Sequence, residues 1–213
     1  MLAPIGDGSA EVVPGSKEAV MGELADRLDQ LQVRISSPDG RITAVVSGRG
    51  RPLGVELPPA AYHRYAEATL AHQLAQLGRL GYAAYRREYR QLTDAAIDRP
   101  VHDDMPDVAG PRLREYRARV ATIASHGDGG DGRVRLGARG LAEWTVSIRT
   151  GVTRSAPVGE FLGWLHTALA RLLADHHAQA GRIHRAVYEE PVPDVPVSDD
   201  APYRVLGYWR GSR

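Results

Sequence analysis

The chain has no cysteine, one lysine and one phenylalanine in 213 residues. Without cysteine there can be no disulfide, no thiolate metal site and no thiol nucleophile. The lone lysine, Lys17, leaves almost no scope for a Schiff-base or phosphate-loop lysine, and the other 26 of the 27 basic residues are arginine. Charge of a single sign is also missing. The 27 basic and 26 acidic residues leave a net charge of +1, so any polyanion contact has to come from a local patch. Long apolar runs are absent too: Val158 to Ala174 is broken by Glu160, His166 and Arg171, and a membrane span needs ~20 uninterrupted residues. The start, Met1-Leu-Ala-Pro-Ile-Gly-Asp, lacks a basic region followed by an apolar one, so a secretory signal is not expected. The expectation is a cytoplasmic protein with no membrane association.

What is present reads as an α+β chain. Apolar residues make up 43% and charged residues 25%, enough to build a core. Val20, Leu24, Leu28 and Leu31 recur at helical spacing behind Ser16, which predicts an amphipathic helix over 17–32. Val33 and Ile35 then alternate with polar residues up to Pro38-Asp39-Gly40, a hairpin signal, and Ile42, Ala44 and Val46 alternate out of it. A third strand carries Leu53, Val55 and Leu57. Pro58-Pro59 ends that strand and opens a helix expected to run from 60 to 95. Residues 98–110, rich in Pro and Asp, read as a linker.

The same order then recurs: a short helix from Pro111 through Leu113, Tyr116 and Val120, a strand over 120–125, strands over 133–138 and 142–150, and a long helix capped by Ser155. Asp39-Gly-Arg-Ile in one half answers Asp131-Gly-Arg-Val in the other. The expected organisation is therefore two αβββα units, 1–97 and 111–188, each a small antiparallel sheet with long helices. A Pro-rich acidic tail with an aromatic end, 189–213, is expected to dock on the body or on a partner.

The helix entering Val33-Arg-Ile-Ser-Ser, the strand Asp39-Gly-Arg-Ile-Thr-Ala-Val-Val-Ser-Gly48, and Arg51-Pro-Leu-Gly-Val-Glu-Leu57-Pro-Pro running into a long helix together resemble the YbaB/EbfC family of small bacterial nucleoid-associated proteins. The resemblance covers about residues 17–92. It implies an αβββα fold, a homodimer or here a covalent pseudo-dimer, DNA as partner, a nucleoid location and no catalytic site. The same fold also resembles accessory proteins of actinobacterial type VII secretion, which implies instead a protein partner and an adaptor or chaperone role.

Charge distribution points to candidate contacts. Between 111 and 154 nine arginines face four acids, Glu115, Asp128, Asp131 and Glu143. Guanidinium groups fork onto phosphate oxygens, and each neutralised phosphate releases counterions. Arg112, Arg119, Arg133, Arg135, Arg139 and Arg149 are the expected phosphate contacts, with Arg133 and Arg135 on one strand face. Arg86, Arg87 and Arg90 form a second cluster.

Other motifs have more ordinary readings. Tyr82, Tyr85 and Tyr89 fit a helix–helix seam better than base stacking. His177 and His184 share a helical face, but metal-binding helices more often use i, i+3 or i+4 pairs with a carboxylate, so no metal is expected. The stretch His126-Gly-Asp128-Gly-Gly-Asp131-Gly has no ladder of ligands with a closing Glu and reads as a flexible turn. Asp103-Asp104 and Asp199-Asp200 fall in linker and tail. No nucleophile stands at a recognisable spacing from a base, so neither an enzyme nor a cofactor is expected.

Overall fold

A computed structural model of the protein describes residues 17–47, 52–97 and 110–189. The fold is α+β. In the first half α1 (Lys17–Gln30) leads to β1 (Gln32–Ser36), β2 (Thr43–Ser47), β3 (Pro52–Glu56), α2 (Pro59–Tyr62) and α3 (Glu67–Ile97). In the second half α4 (Pro111–Ala121) leads to β4 (Ala124–Gly129), β5 (Val134–Arg139), β6 (Glu143–Ile148), α5 (Val152–Ser155) and α6 (Val158–Tyr188). Each half holds one three-stranded antiparallel sheet, ordered β1-β2-β3 and β4-β5-β6.

The first hairpin of each sheet has the same register. Gln32 faces Ser47 and Ser36 faces Thr43 in the first; Ala124 faces Arg139 and Asp128 faces Arg135 in the second, a displacement of 92 residues at every partner. In the first hairpin Gly40 takes a positive φ, and the Asp39 carboxylate accepts from the Ser37 hydroxyl at 2.6 Å, the Arg41 N–H at 3.2 Å and the Tyr65 hydroxyl. In the second, Gly130, Asp131 and Gly132 all take positive φ, where glycine costs nothing and Asp is tolerated better than most residues. Ile42, just before β2, and Val134 on β5 are fully buried, as are Leu70 and Phe161 on the long helices.

One core serves both halves. A single buried cluster runs from Ile42, Leu57, Tyr62 and Leu74 to Val134, Leu136, Phe161, Leu165 and Leu172. Helix α3 lies on β1 and β2 of its own sheet and also on β6 of the other. Small residues allow this approach: a Cβ on Gly78 would stand 2.7 Å from the Trp144 ring, and one on Gly81 2.8 Å from Ile35 Cδ1. Helix α6 lies on β4 and β5, and its Leu162, Leu165 and Leu169 line a cavity of about 180 Å³ with Gly54 and Val55 of β3. Helices α1 and α4 pack on α3 and α6 respectively.

The structure corrects three expected boundaries. The helix expected over 60–95 is broken between Tyr62 and Glu67. The break lets Tyr62 plug into the second half, its hydroxyl donating to the Val152 carbonyl at 3.1 Å and its ring 5.1 Å from that of Phe161. The strand expected over 120–125 instead occupies Ala124–Gly129, so half of the expected glycine turn is strand. Gly127 and Gly129 belong there because a Cβ at either would collide with α6 backbone, at the Ala168 and Trp164 carbonyls. Ser155 does not cap the last helix: it closes α5, its hydroxyl donating to the Gly151 carbonyl at 2.9 Å, while Pro157 precedes α6. The linker through residue 109 and the tail from residue 190 lie outside the described residues.

Candidate functional site

The six arginines singled out from the sequence fall in four places. Arg112 and Arg119 lie on α4, where Arg119 is 3.5 Å from Glu115 one turn back. Arg133 stacks its guanidinium on Trp164 of α6, 4.8 Å from the ring centre. Arg133 itself lies in the turn just before β5. Arg135 and Arg139 stand exposed on β5, each with a carboxylate directly across the ladder, Asp128 and Glu143. Arg149 follows β6 and donates to the Asp131 carbonyl at 3.1 Å.

Around the second hairpin carboxylates offset part of this charge. A wide concavity of about 670 Å³ is bounded by His126, Asp128, Asp131, Arg135 and Arg171. Arg171 pairs with Asp128 at 3.1 Å and also donates to its carbonyl at 2.9 Å. Two guanidinium groups against two carboxylates give a polyanion no net attraction there.

The α4–α6 helix pair carries a larger excess of arginine. Leu113, Tyr116 and Val120 are the half-buried stripe of α4, which packs on α6. The Tyr116 ring meets His184 edge-on at 5.7 Å and lies 6.2 Å from Tyr188, and His184 and Tyr188 are themselves 4.7 Å apart. Burial first, and then the neighbouring Tyr188, push the Tyr116 hydroxyl upward in pKa, so it stays neutral. Around this ring cluster, α4 carries Arg112, Arg114, Arg117 and Arg119, and the end of α6 carries Arg182 and Arg185. Within 111–121 and 182–189 the only carboxylates are Glu115 and Glu189. The sequence reading missed Arg182 and Arg185 because it summed charge over a contiguous stretch. The available signal was two arginines beside His184 and Tyr188 at the end of an otherwise apolar helix.

Ser125 Oγ lies 3.2 Å from His176 Nδ1, but Ser125 is wholly buried and His176 nearly so. The Asp175 carboxylate turns away to accept from the His126 N–H and from Gln179, each at 3.1 Å. Without access for a substrate and without an orienting carboxylate, the pair fastens α6 to β4 and cannot work as nucleophile and base. Burial first, then the neighbouring His177, hold His176 below its ordinary pKa, against a small opposing pull from Asp175. Among the described residues no group of three or more His, Asp or Glu could hold a metal ion. His184 is part of the ring cluster with Tyr116 and Tyr188.

On α3, Tyr85 and Tyr89 stand 6.0 Å apart and Arg86 covers Tyr82 at 5.8 Å. Tyr82 and Tyr85 are half-buried, as a seam position implies, while Tyr89 is 41% exposed. No helix among the described residues is long and apolar enough to cross a membrane. Comparisons with family models, with curated proteins and with solved structures found no match.

Proposed function

We propose that the protein is a non-enzymatic, nucleoid-associated DNA-binding protein, built as a covalent doubling of a YbaB/EbfC-like αβββα unit. It contacts phosphates through arginines on the α4–α6 face. The doubling is supported by the 92-residue displacement that carries each β1–β2 pair onto a β4–β5 pair.

The observation that carries the DNA reading is the packing of α4 on α6, a helix pair whose facing ends carry six arginines and three ring side chains against two carboxylates in sequence. Arginine forks supply sequence-independent phosphate contacts, and exposed rings beside them add stacking surface. Relative to the sequence reading, Arg112 and Arg119 stay in the contact set, Arg114, Arg117, Arg182 and Arg185 join it, and Arg133, Arg135, Arg139 and Arg149 leave it.

Duplex binding at low salt by two variants tests this assignment. Changing Arg112, Arg114, Arg117 and Arg119 to Gln is expected to weaken binding at least tenfold, while changing Arg135 and Arg139 to Gln leaves it within about twofold. The reverse pattern would move the site to β5. A second reading, a protein-binding adaptor, is favoured by Leu80 and Tyr89 of α3, which are 44% and 41% exposed. Wild-type protein that binds no duplex at low salt would favour that reading.

A further inference from the structure

We infer that the acidic segment 190–202 of this chain docks on the α4–α6 face and competes there with polyanions. This rests on the DNA reading only for its consequence; the docking itself rests on charge and on where the chain leaves α6.

The two helices run antiparallel. Tyr116, in the middle of α4, packs on His184 and Tyr188, whereas Gln179 donates to the carbonyl of Ala124, three residues past the end of α4, at 2.9 Å. Moving along α4 therefore means moving back along α6. It follows that the first turn of α4, with Arg112, lies beside the end of α6. That end is at Tyr188–Glu189, where the Glu189 N–H closes the last turn on the Arg185 carbonyl at 2.8 Å. The next residues are Glu190-Pro-Val-Pro-Asp194-Val-Pro-Val-Ser-Asp199-Asp200-Ala-Pro202, with four acids and no basic residue.

The chain thus passes from a basic, aromatic helix pair straight into an acidic stretch. The first turn of α4 contains no acid that would repel it. Length suits the match. Thirteen residues can reach at most about 43 Å. The eleven residues of α4 span only about 16 Å. Tethering also gives the segment an effective concentration in the millimolar range, enough for a weak contact of four carboxylates to compete with nucleic acid.

The absence of cysteine makes a clean test possible. A spin label on Ser198→Cys in the full chain is expected to broaden the amide signals of α4 around 112–119 at low salt. The broadening should fade at high salt, and also when Glu190, Asp194, Asp199 and Asp200 are changed to their amides. The same amide variant should bind duplex DNA about tenfold more tightly than wild type. No broadening of α4, or broadening that survives neutralisation, overturns the docking. So does tighter DNA binding on neutralising Asp103, Asp104 and Asp107 of the linker with none on neutralising the tail. Charge-dependent broadening together with no DNA binding by either protein would leave the docking standing and defeat the DNA reading alone.

Discussion

Gly81 and Ile35 show how one methylene decides a contact. A Cβ on Gly81 would meet the Cδ1 atom of Ile35, which valine lacks. Gly81→Ala is expected to cost about 1–3 kcal/mol in urea unfolding, and the same change in an Ile35→Val background appreciably less, so the double-mutant cycle should give a clear coupling. Gly127 has no such remedy, because the collision there is with the backbone of α6. Gly127→Ala is expected to cost about 3 kcal/mol or more, with no rescue by trimming a side chain. His176 gives the protein a pH dependence of known sign. Its folded pKa lies below 6.5, so the unfolded chain takes up the proton first. The stabilisation it gives is complete above about pH 6.5 and declines as pH falls through the folded value. His176→Asn, which keeps an acceptor near Ser125 Oγ, should flatten the unfolding free energy between about pH 7 and 5 relative to wild type.

At the scale of elements, the junction between α2 and α3 ties the halves together. Glu67 Oε1 accepts from the Gly151 N–H at 3.0 Å, the Thr153 N–H at 3.3 Å and the Thr153 hydroxyl at 2.9 Å, and the His63 Nδ1–H donates to the Thr153 carbonyl at 2.8 Å. The Glu67 backbone N–H foremost, then the Thr153 and Gly151 donors, hold its carboxyl below the usual carboxylate range despite partial burial. Glu67→Ala is expected to lower stability by about 1–2 kcal/mol, since it strands backbone donors in a half-buried loop. Sequence periodicity could not announce this junction. The stripe of Leu70, Leu74 and Leu77 was legible as a helix, and the alternation at Ile42, Ala44 and Val46 as a strand, because each reflects a local period. The break at Tyr62 was not legible, since its cause is a partner ninety residues away. Likewise Gly127 and Gly129 looked like turn residues, when their lack of a side chain serves the close approach of a helix.

Over the whole molecule, α3 closes over β6, so neither half buries its own apolar surface completely. Residues 17–97 and 110–189 made as separate chains are each expected to unfold without a cooperative transition, and to regain one when mixed. A sharp melting transition in either alone would show that the halves are independent. The same long-range packing decides the candidate interface. The sequence exposed an excess of arginine over 111–154, but only the fold divides those side chains between a hairpin where carboxylates face several of them and a helix pair with fewer acids. The DNA-binding account is tested most directly by the salt dependence of duplex affinity, measured for wild type and for the variant with Arg112, Arg114, Arg117 and Arg119 changed to Gln. The account predicts a linear fall of log K with log salt, and a slope about 0.9 shallower for each phosphate contact removed. Equal slopes for the two proteins, or no wild-type binding at low salt, would contradict it.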